Sequence, residues 1–486
     1  MTLTDDRVAD GMDSLRALEP RGSDLRDLLT MVSSYVCSTV DDISNAPASQ
    51  YRDVAEVLRD AELRGHPPLA GRPLDDVLHD VGRAVSIGVN PASPGCLAYV
   101  PGSGLVSAAV ADLLIGVLNR YTGQAFAAPG LVALECDVLR WMADLFALPA
   151  RAMGLLTSGA SIATFSALVT ARTAKLGDDF LAGTLYVTGQ THHAITKAAR
   201  LAGFPAAAVR IVPVDRRLHM DVASLRSMIR EDRDAGRRPF CVVATAGTTN
   251  TGAIDPLAAI SDVAVTEKLW LHVDAAYGGF FILTDRGRAL LSGIDQADSL
   301  VLDPHKSLFL PFGTGALLVR DGELLRHAHS VDQPAYLQDG GDYGLPNFGD
   351  YGPELTRDAR GLRLWLPLQL HGVGAFRSAL NEKLDLARLA YEELRADPHL
   401  EVLGPPELSI VAYRMRGNDP ARADSAMAEV LRRVNAEQHV FLSSTQIDGR
   451  YVGRLSVLNH RTDRSRLLEA TGALRRHAAM VVQELS

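Results

Sequence analysis

The chain has 486 residues, 47% of them hydrophobic and 22% charged, with a formal net charge of −9 at pH 7. That balance is ordinary for a globular protein and allows two or three lobes around at least one large core. An acidic chain with no basic run gives no footing to a nucleic-acid partner, and no low-complexity tract or internal repeat is present.

The N-terminal stretch MTLTDDRVADGMDSLRALEP is acidic and has no apolar h-region, so no signal peptide is expected. Residues 1–85 read as a helical segment. In SDLRDLLTMVSSYV, Leu25, Leu28, Leu29, Val32, Tyr35 and Val36 share one helical face, with Ser23 as the expected N-cap. GRP and NPASPG then punctuate the chain. The most apolar stretch, GLVSAAVADLLIGVLN, is interrupted by Asp112 and is too short and too polar to span a bilayer. The four cysteines, Cys37, Cys96, Cys136 and Cys241, form no CxxC pair. They are expected to be buried apolar side chains rather than zinc ligands or disulfides, in a soluble cytoplasmic protein.

From about residue 150 to 320 short apolar runs alternate with helical stretches: TLYVTG, VRIVPVD, PFCVVATAG, LWLHVDAAYGG, SLVLDPHK and GALLVRD. Several are apolar at every position, as in strands buried on both faces of a parallel or mixed sheet covered by helices. The segment HSVDQPAYLQDGGDYGLPNFGDYGPEL is a long irregular loop. A helix follows from about Thr356, with an expected kink at Pro367. LSIVAYRMRG and YVGRLSVLNH mark strands of a last, smaller α/β lobe.

Three features converge on one chemistry. Asp274 ends an apolar strand in HVDAAYGG, and Lys306 ends another in SLVLDPHK. In LTSGASIATFSALVTAR a small-residue turn opens a helix, whose free backbone amides suit an anion. Singly, each has a plain structural explanation: a loop cap, a snorkelling lysine, an ordinary turn. Together they fit pyridoxal 5'-phosphate, which needs a lysine for its aldehyde, a carboxylate for its ring nitrogen and an anion cradle. Desolvation makes such a lysine nucleophilic.

These stretches, with NPASPGCLAYVPGSG, QTHHAITKAARLAG, ATAGTTNTGAIDP, GLRLWLPLQLHG and RLSVLNHRT, resemble the group II pyridoxal-phosphate decarboxylases from about residue 85 to the C-terminus. That family includes the aromatic L-amino acid, glutamate, histidine and tyrosine decarboxylases. The resemblance implies the aspartate-aminotransferase-like type I fold: an α/β large domain with a mostly parallel sheet over 86–365, and a small α/β domain over 366–486. It also implies a homodimer with the active site at the interface and residues 1–85 packed on the partner. Carried over residue by residue, Lys306 is the Schiff-base lysine, Asp274 the pyridinium partner and Ala276 its neighbour near the ring. Either His192 or His193 stacks on the cofactor, with His192 preferred because KAARLAG then aligns without a gap. Ala160 and Ser161 form the phosphate turn, Thr249 and His305 line the site, and Tyr99, Val100, Pro101 and Gly102 line the substrate pocket. No metal is expected.

In the family a loop tyrosine protonates the α-carbon after CO2 leaves. Tyr336 falls at the matching place, with Tyr343 and Tyr351 as rivals. Arg357 matches an arginine near this loop, or else makes a structural salt bridge. The implied reaction is decarboxylation of an L-amino acid to an amine through a Schiff base and a quinonoid. The alternatives are oxidative decarboxylation to an aldehyde or β C–S cleavage, in specialised metabolism, and an inactive cofactor-binding partner. Tyr336 favours the amine, because oxidative relatives commonly carry Phe there. Aromatic-substrate relatives have a bulkier residue where Val100 falls, which points away from an indole or catechol.

Overall fold

A computed structural model describes residues 18–51, 54–59, 66–100, 102–331, 341 and 343–485. The apolar runs become strands β2 (Gly183–Thr188), β3 (Val209–Val212), β4 (Arg238–Thr245), β5 (Trp270–Asp274), β6 (Ser299–Leu302) and β7 (Gly315–Val319), and a further strand, β1 (Met153–Thr157), precedes them. They form a seven-stranded sheet in the order β1-β7-β6-β5-β4-β2-β3. Only β7 runs against the rest, pairing antiparallel with β1 and β6; the other neighbours pair in parallel.

Burial on both faces explains why these strands do not alternate polar with apolar residues. Successive side chains point to opposite faces. Leu300 and Leu302 therefore enter one core, while Val301 between them enters the other. Leu317 and Val319 join the second core, Ala316 and Leu318 the first. Each buried aliphatic side chain of this kind contributes roughly 1.5–3 kcal/mol. Parallel direction has one further consequence: the carboxyl ends of β1, β2, β4, β5 and β6 open on the same edge of the sheet, where ligands bind in such folds.

The N-terminal region is helical but buries little. Helix α1 (Gly22–Asp42) has no buried residue, and Leu25, Leu28, Leu29 and Val36 are exposed. Its N-cap is Arg21, in extended backbone, so the helix starts earlier than expected; Ser23 lies inside it and bonds Asp24. Val77, Val81 and Val85 are exposed on α2 (Leu74–Val85). Helix α3 (Val106–Leu118) buries Ala108, Ala111 and Ile115 and leaves Leu113, Leu114 and Val117 outside; Asp112 on it pairs with Arg363. Among the described residues no helix is long and apolar enough to cross a membrane. All four cysteines are free; Cys96 and Cys241 are buried and Cys136 half-buried. Cys37 departs from the expectation: it is exposed, on α1, which packs against too little of the chain to cover it.

Helices α4 (Pro129–Leu145), α5 (Ala160–Leu176) and α6 (His193–Leu201) pack on the large sheet or beside it. Helix α7 (Gly361–Arg395) then links the lobes. Leu364, Phe376, Leu380 and Leu384 face the large core, whereas residues from Leu386 onward face the small one. Its break is at Gly372 (φ 69, ψ 155), not at Pro367, which stays inside the helix. Proline's fixed φ is compatible with a helix, while glycine is free to leave it.

The small lobe has strands β8 (Leu400–Val402), β9 (Ile410–Met415), β10 (Ser443–Ile447) and β11 (Arg450–Ser456) in the antiparallel order β8-β9-β11-β10, with helices α8 (Pro420–Ala436) and α9 (Arg464–Leu485). Its segment Glu407–Ser409 grips the large lobe. Glu407 bonds Arg217 and His219, each at 2.8 Å, and takes the Ile254 amide at 2.9 Å. The hydrogen bond that His219 donates to Glu407 raises the imidazole's pKa. Ser409 meets the Tyr277 hydroxyl at 2.7 Å.

Candidate active site

Five strand ends feed one cavity of about 460 Å3. β1 turns through Ser158 and Gly159 into α5; β2 leads to His192; β4 leads to Gly247 and Thr249; β5 ends at Asp274; β6 leads to the helical turn Pro304–Ser307. Lys306 is therefore one turn beyond its strand rather than at its last residue, and Pro304 starts that turn.

The Lys306 ammonium lies 3.1 Å from Asp303 Oδ2, and the other carboxylate oxygen accepts the Ala160 amide at 2.7 Å. The Asp303 side chain is 3% exposed and that of Lys306 18%. His305 donates from Nδ1 to the Thr314 carbonyl at 2.7 Å, since a carbonyl can only accept. Its Nε2 points towards Asp303 at 3.7 Å. Burial pushes the His305 pKa down.

Asp274 is buried, and its Oδ1 accepts the Ala276 amide at 3.2 Å. Burial raises its pKa; Lys306 and His192 pull it back. His192 caps α6, its Nδ1 accepting the Ala194 amide at 3.2 Å. A backbone amide can only donate, so the proton of the neutral ring sits on Nε2. Burial lowers its pKa and favours that neutral form. Of the two neighbouring histidines, His192 lines the cavity; the His193 ring is 4.3 Å away and the residue is exposed.

The anion turn depends on glycine. Gly159, the N-cap residue of α5, has φ 156, which L side chains rarely adopt, and has no side chain of its own to cap the helix. Ala160, Ser161, Thr249 and Ala276 line the cavity with it. These residues offer what pyridoxal 5'-phosphate requires: a helix start for the phosphate, a lysine for the aldehyde, a buried carboxylate for the ring nitrogen and a neutral imidazole. A cavity of this size suits a small cofactor.

The described substrate candidates, Tyr99, Val100 and Gly102, are not among the lining residues of this cavity. Gly102 abuts the turn that carries Lys306 so closely that a Cβ would overlap the His305 and Leu310 carbonyl oxygens. Val100 is buried, Tyr99 is exposed, and Pro101 lies outside the described residues. Tyr99 (φ 58) and Phe309 (φ 64) are bulky residues in left-handed backbone, a strain of about 1–3 kcal/mol each that tends to collect around active sites.

Several residues of the site were not singled out from the sequence. Asp303 and Tyr277 stand within the recognised stretches DPHK and HVDAAYGG, so adjacency was their only signal. Arg454 had none. Its buried guanidinium bonds the carbonyls of Asn250 (2.7 Å), Tyr99 (3.3 Å) and Thr249, and Ser443 Oγ (2.8 Å), tying the small lobe to the cavity wall. Burial lowers its pKa to about 10.

Tyr336 lies outside the described residues. Neither rival lines the cavity: Tyr343 is exposed, and Tyr351 packs half-buried near Arg326 and Cys136, its pKa raised by burial. Arg357 makes a structural ion pair, at 2.6 Å from Glu135, both side chains 0% exposed. It also bonds the Leu156 carbonyl and stacks on Phe348. Arg357→Met, which strands Glu135 unpaired, is expected to destabilise the protein by about 3–5 kcal/mol. Chemical denaturation measures this, and replacing both partners by apolar residues should recover much of the loss.

The comparisons with known proteins agree with this geometry. Residues 63–416 match the pyridoxal-dependent decarboxylase conserved domain. The aromatic-L-amino-acid decarboxylase of Bacillus atrophaeus is 33% identical over 458 residues, covering 93% of this chain and 95% of its own length. The L-2,4-diaminobutyrate decarboxylase of Rhizobium meliloti (strain 1021) is 32% identical, covering 83% of each. The crystal structure of Oryza sativa TDC with PLP and tryptamine superposes with a TM-score of 0.89 at 27% identity, over 95% of this chain and 99% of that one. The chain belongs to the pyridoxal-dependent decarboxylase family, with its α/β fold, and is a carboxy-lyase that acts on an amino acid with pyridoxal 5'-phosphate.

Proposed function

We propose that the protein removes the α-carboxylate of an aromatic L-amino acid and releases the amine. The observation that carries this reading is the convergence of Lys306, Asp274 and His192 on one cavity from three strand ends. The aromatic substrate is supported by the similarity to the aromatic-L-amino-acid decarboxylase of Bacillus atrophaeus, and to the tryptophan decarboxylase 1 of Oryza sativa subsp. japonica at 31% identity, which together outweigh the expectation from Val100 of a pocket unsuited to an indole or catechol.

When bound, pyridoxal 5'-phosphate supplies an electron sink for the pair left by the broken Cα–carboxylate bond. The residues do the rest. The Lys306 amine is the point of covalent attachment. Asp274, buried with a raised pKa, gains by facing a cation and so keeps a proton on the ring nitrogen. His192, neutral with its proton on Nε2, would lie against the ring and fix its plane. The Ala160 and Ser161 amides hold the phosphate at the start of α5, and Thr249, Ala276 and His305 complete the walls. Tyr99, Val100, Pro101 and Gly102 bound the substrate side. Tyr336 returns a proton to the α-carbon, which favours amine over aldehyde.

A second copy of the chain covers the exposed apolar side chains of α1 and α3, Leu25, Leu28 and Leu29 on one and Leu113, Leu114 and Val117 on the other. Contiguous apolar surface of this kind marks an interface, and a two-fold dimer is the commonest closed assembly. The free thiols suit the reducing cytoplasm.

The test is a panel of L-tryptophan, L-tyrosine, L-phenylalanine, L-glutamate and L-2,4-diaminobutyrate on the holoenzyme, with amine, aldehyde and peroxide read together. An aromatic amine formed one-for-one with CO2 is expected. Turnover of only the polar substrates, or aldehyde with peroxide, overturns the reading.

A further inference from the structure

Asp303 touches both ends of the cofactor site at once. Its Oδ1 takes the Ala160 amide at 2.7 Å, the first N–H of α5, and its Oδ2 lies 3.1 Å from Lys306 Nζ. At 3% exposure the carboxylate has almost no water to screen it. Asp274, the other carboxylate of the cavity, bonds Ala276 and leaves α5 alone. We infer that Asp303 sets the cofactor affinity of the site by competing with the cofactor's phosphate for the start of α5.

The physical argument has two parts. A helix start binds anions through its free amides and the positive end of its dipole. A carboxylate seated on the first amide takes one of those donors and offsets the positive charge of that end. It also sets a negative charge beside the place where a phosphate dianion must lie, where low exposure leaves the repulsion poorly screened. The cations facing Asp303 are Lys306 and, when protonated, His305 at 3.7 Å. Lys306 cannot offset the charge fully, because its amine is the group the cofactor engages. Asp303 therefore holds the lysine in place at a cost in affinity, which eases cofactor exchange. Asparagine at this position would keep an oxygen for the Ala160 amide and remove the charge.

The inference rests on the phosphate turn proposed above, and the test separates the two. Full-length wild-type and Asp303→Asn proteins, stripped of cofactor, are titrated with pyridoxal 5'-phosphate and with pyridoxal, which lacks the phosphate. Wild type should prefer the phosphorylated form. Asp303→Asn should bind that form at least about tenfold more tightly than wild type, and pyridoxal within about twofold of it. Inorganic phosphate, which does not react with Lys306, should raise the thermal midpoint of the variant more than that of wild type. Wild type that does not distinguish the two ligands overturns the phosphate turn and this inference with it. Wild type that distinguishes them, with a variant that binds the phosphate form no more tightly or gains equally for pyridoxal, overturns the competition alone. Asp303→Ser gives the same ordering should the asparagine variant not fold.

Discussion

Lys306→Ala is expected to lower kcat by on the order of a thousandfold or more, about 4 kcal/mol of barrier, while the fold is retained. Lys306 is the lysine that lines the cavity, and its side chain is 18% exposed, enough to be reached. Removing it takes away the proposed covalent anchor and a cation beside Asp303, Asp274 and His192. The holoprotein's absorption spectrum and single-turnover kinetics measure the change. Lys383 is the control. It is fully buried on α7 and donates to the Thr462 carbonyl, far from this chemistry. Lys383→Met should alter the thermal midpoint and leave the cofactor spectrum alone. If Lys306→Ala keeps a tenth of wild-type turnover, Lys306 does not do this chemistry.

Asp274→Asn is expected to lower kcat by roughly 10²–10⁴, the range of a well-placed proton-holding group. The change is nearly isosteric. Asparagine can still accept the Ala276 amide, which Asp274 takes at 3.2 Å, so the strand end survives. What is lost is the negative charge at the bottom of the cavity. Without it the ring nitrogen loses its proton and the electron sink weakens. The effect should fall on kcat more than on KM, as for a group whose role is in the chemical step rather than in substrate binding. Thermal midpoints within a few degrees of wild type, together with a collapse of kcat, separate this role from a structural one. A kcat within about threefold of wild type would remove Asp274 from the chemistry.

Much of the site was legible because its parts are local. Lys306, Asp274 and the turn at Ala160 lie at or just beyond the ends of short, largely apolar strands that are buried almost throughout, and such strands announce where they end. The helix break was not legible in the same way: Pro367 looked like the kink, and Gly372 is the kink, because a proline's geometry tolerates a helix that a glycine is free to leave. Ser23 looked like a cap, but the turn before it already begins α1 at Gly22.

The sequence by itself determined the alternation of buried strands and helices, the family and the cofactor chemistry. Each of these rests on periodicity or on residues a few positions apart. Only the tertiary structure decided which groups meet across the chain. Asp303 reaches Ala160 over 143 positions, Arg357 reaches Glu135 over 222, and Arg454 reaches Tyr99 over 355. The physical reason is that a local pattern encodes which face of an element is buried, whereas partners at these separations are chosen by how sheets and lobes pack together.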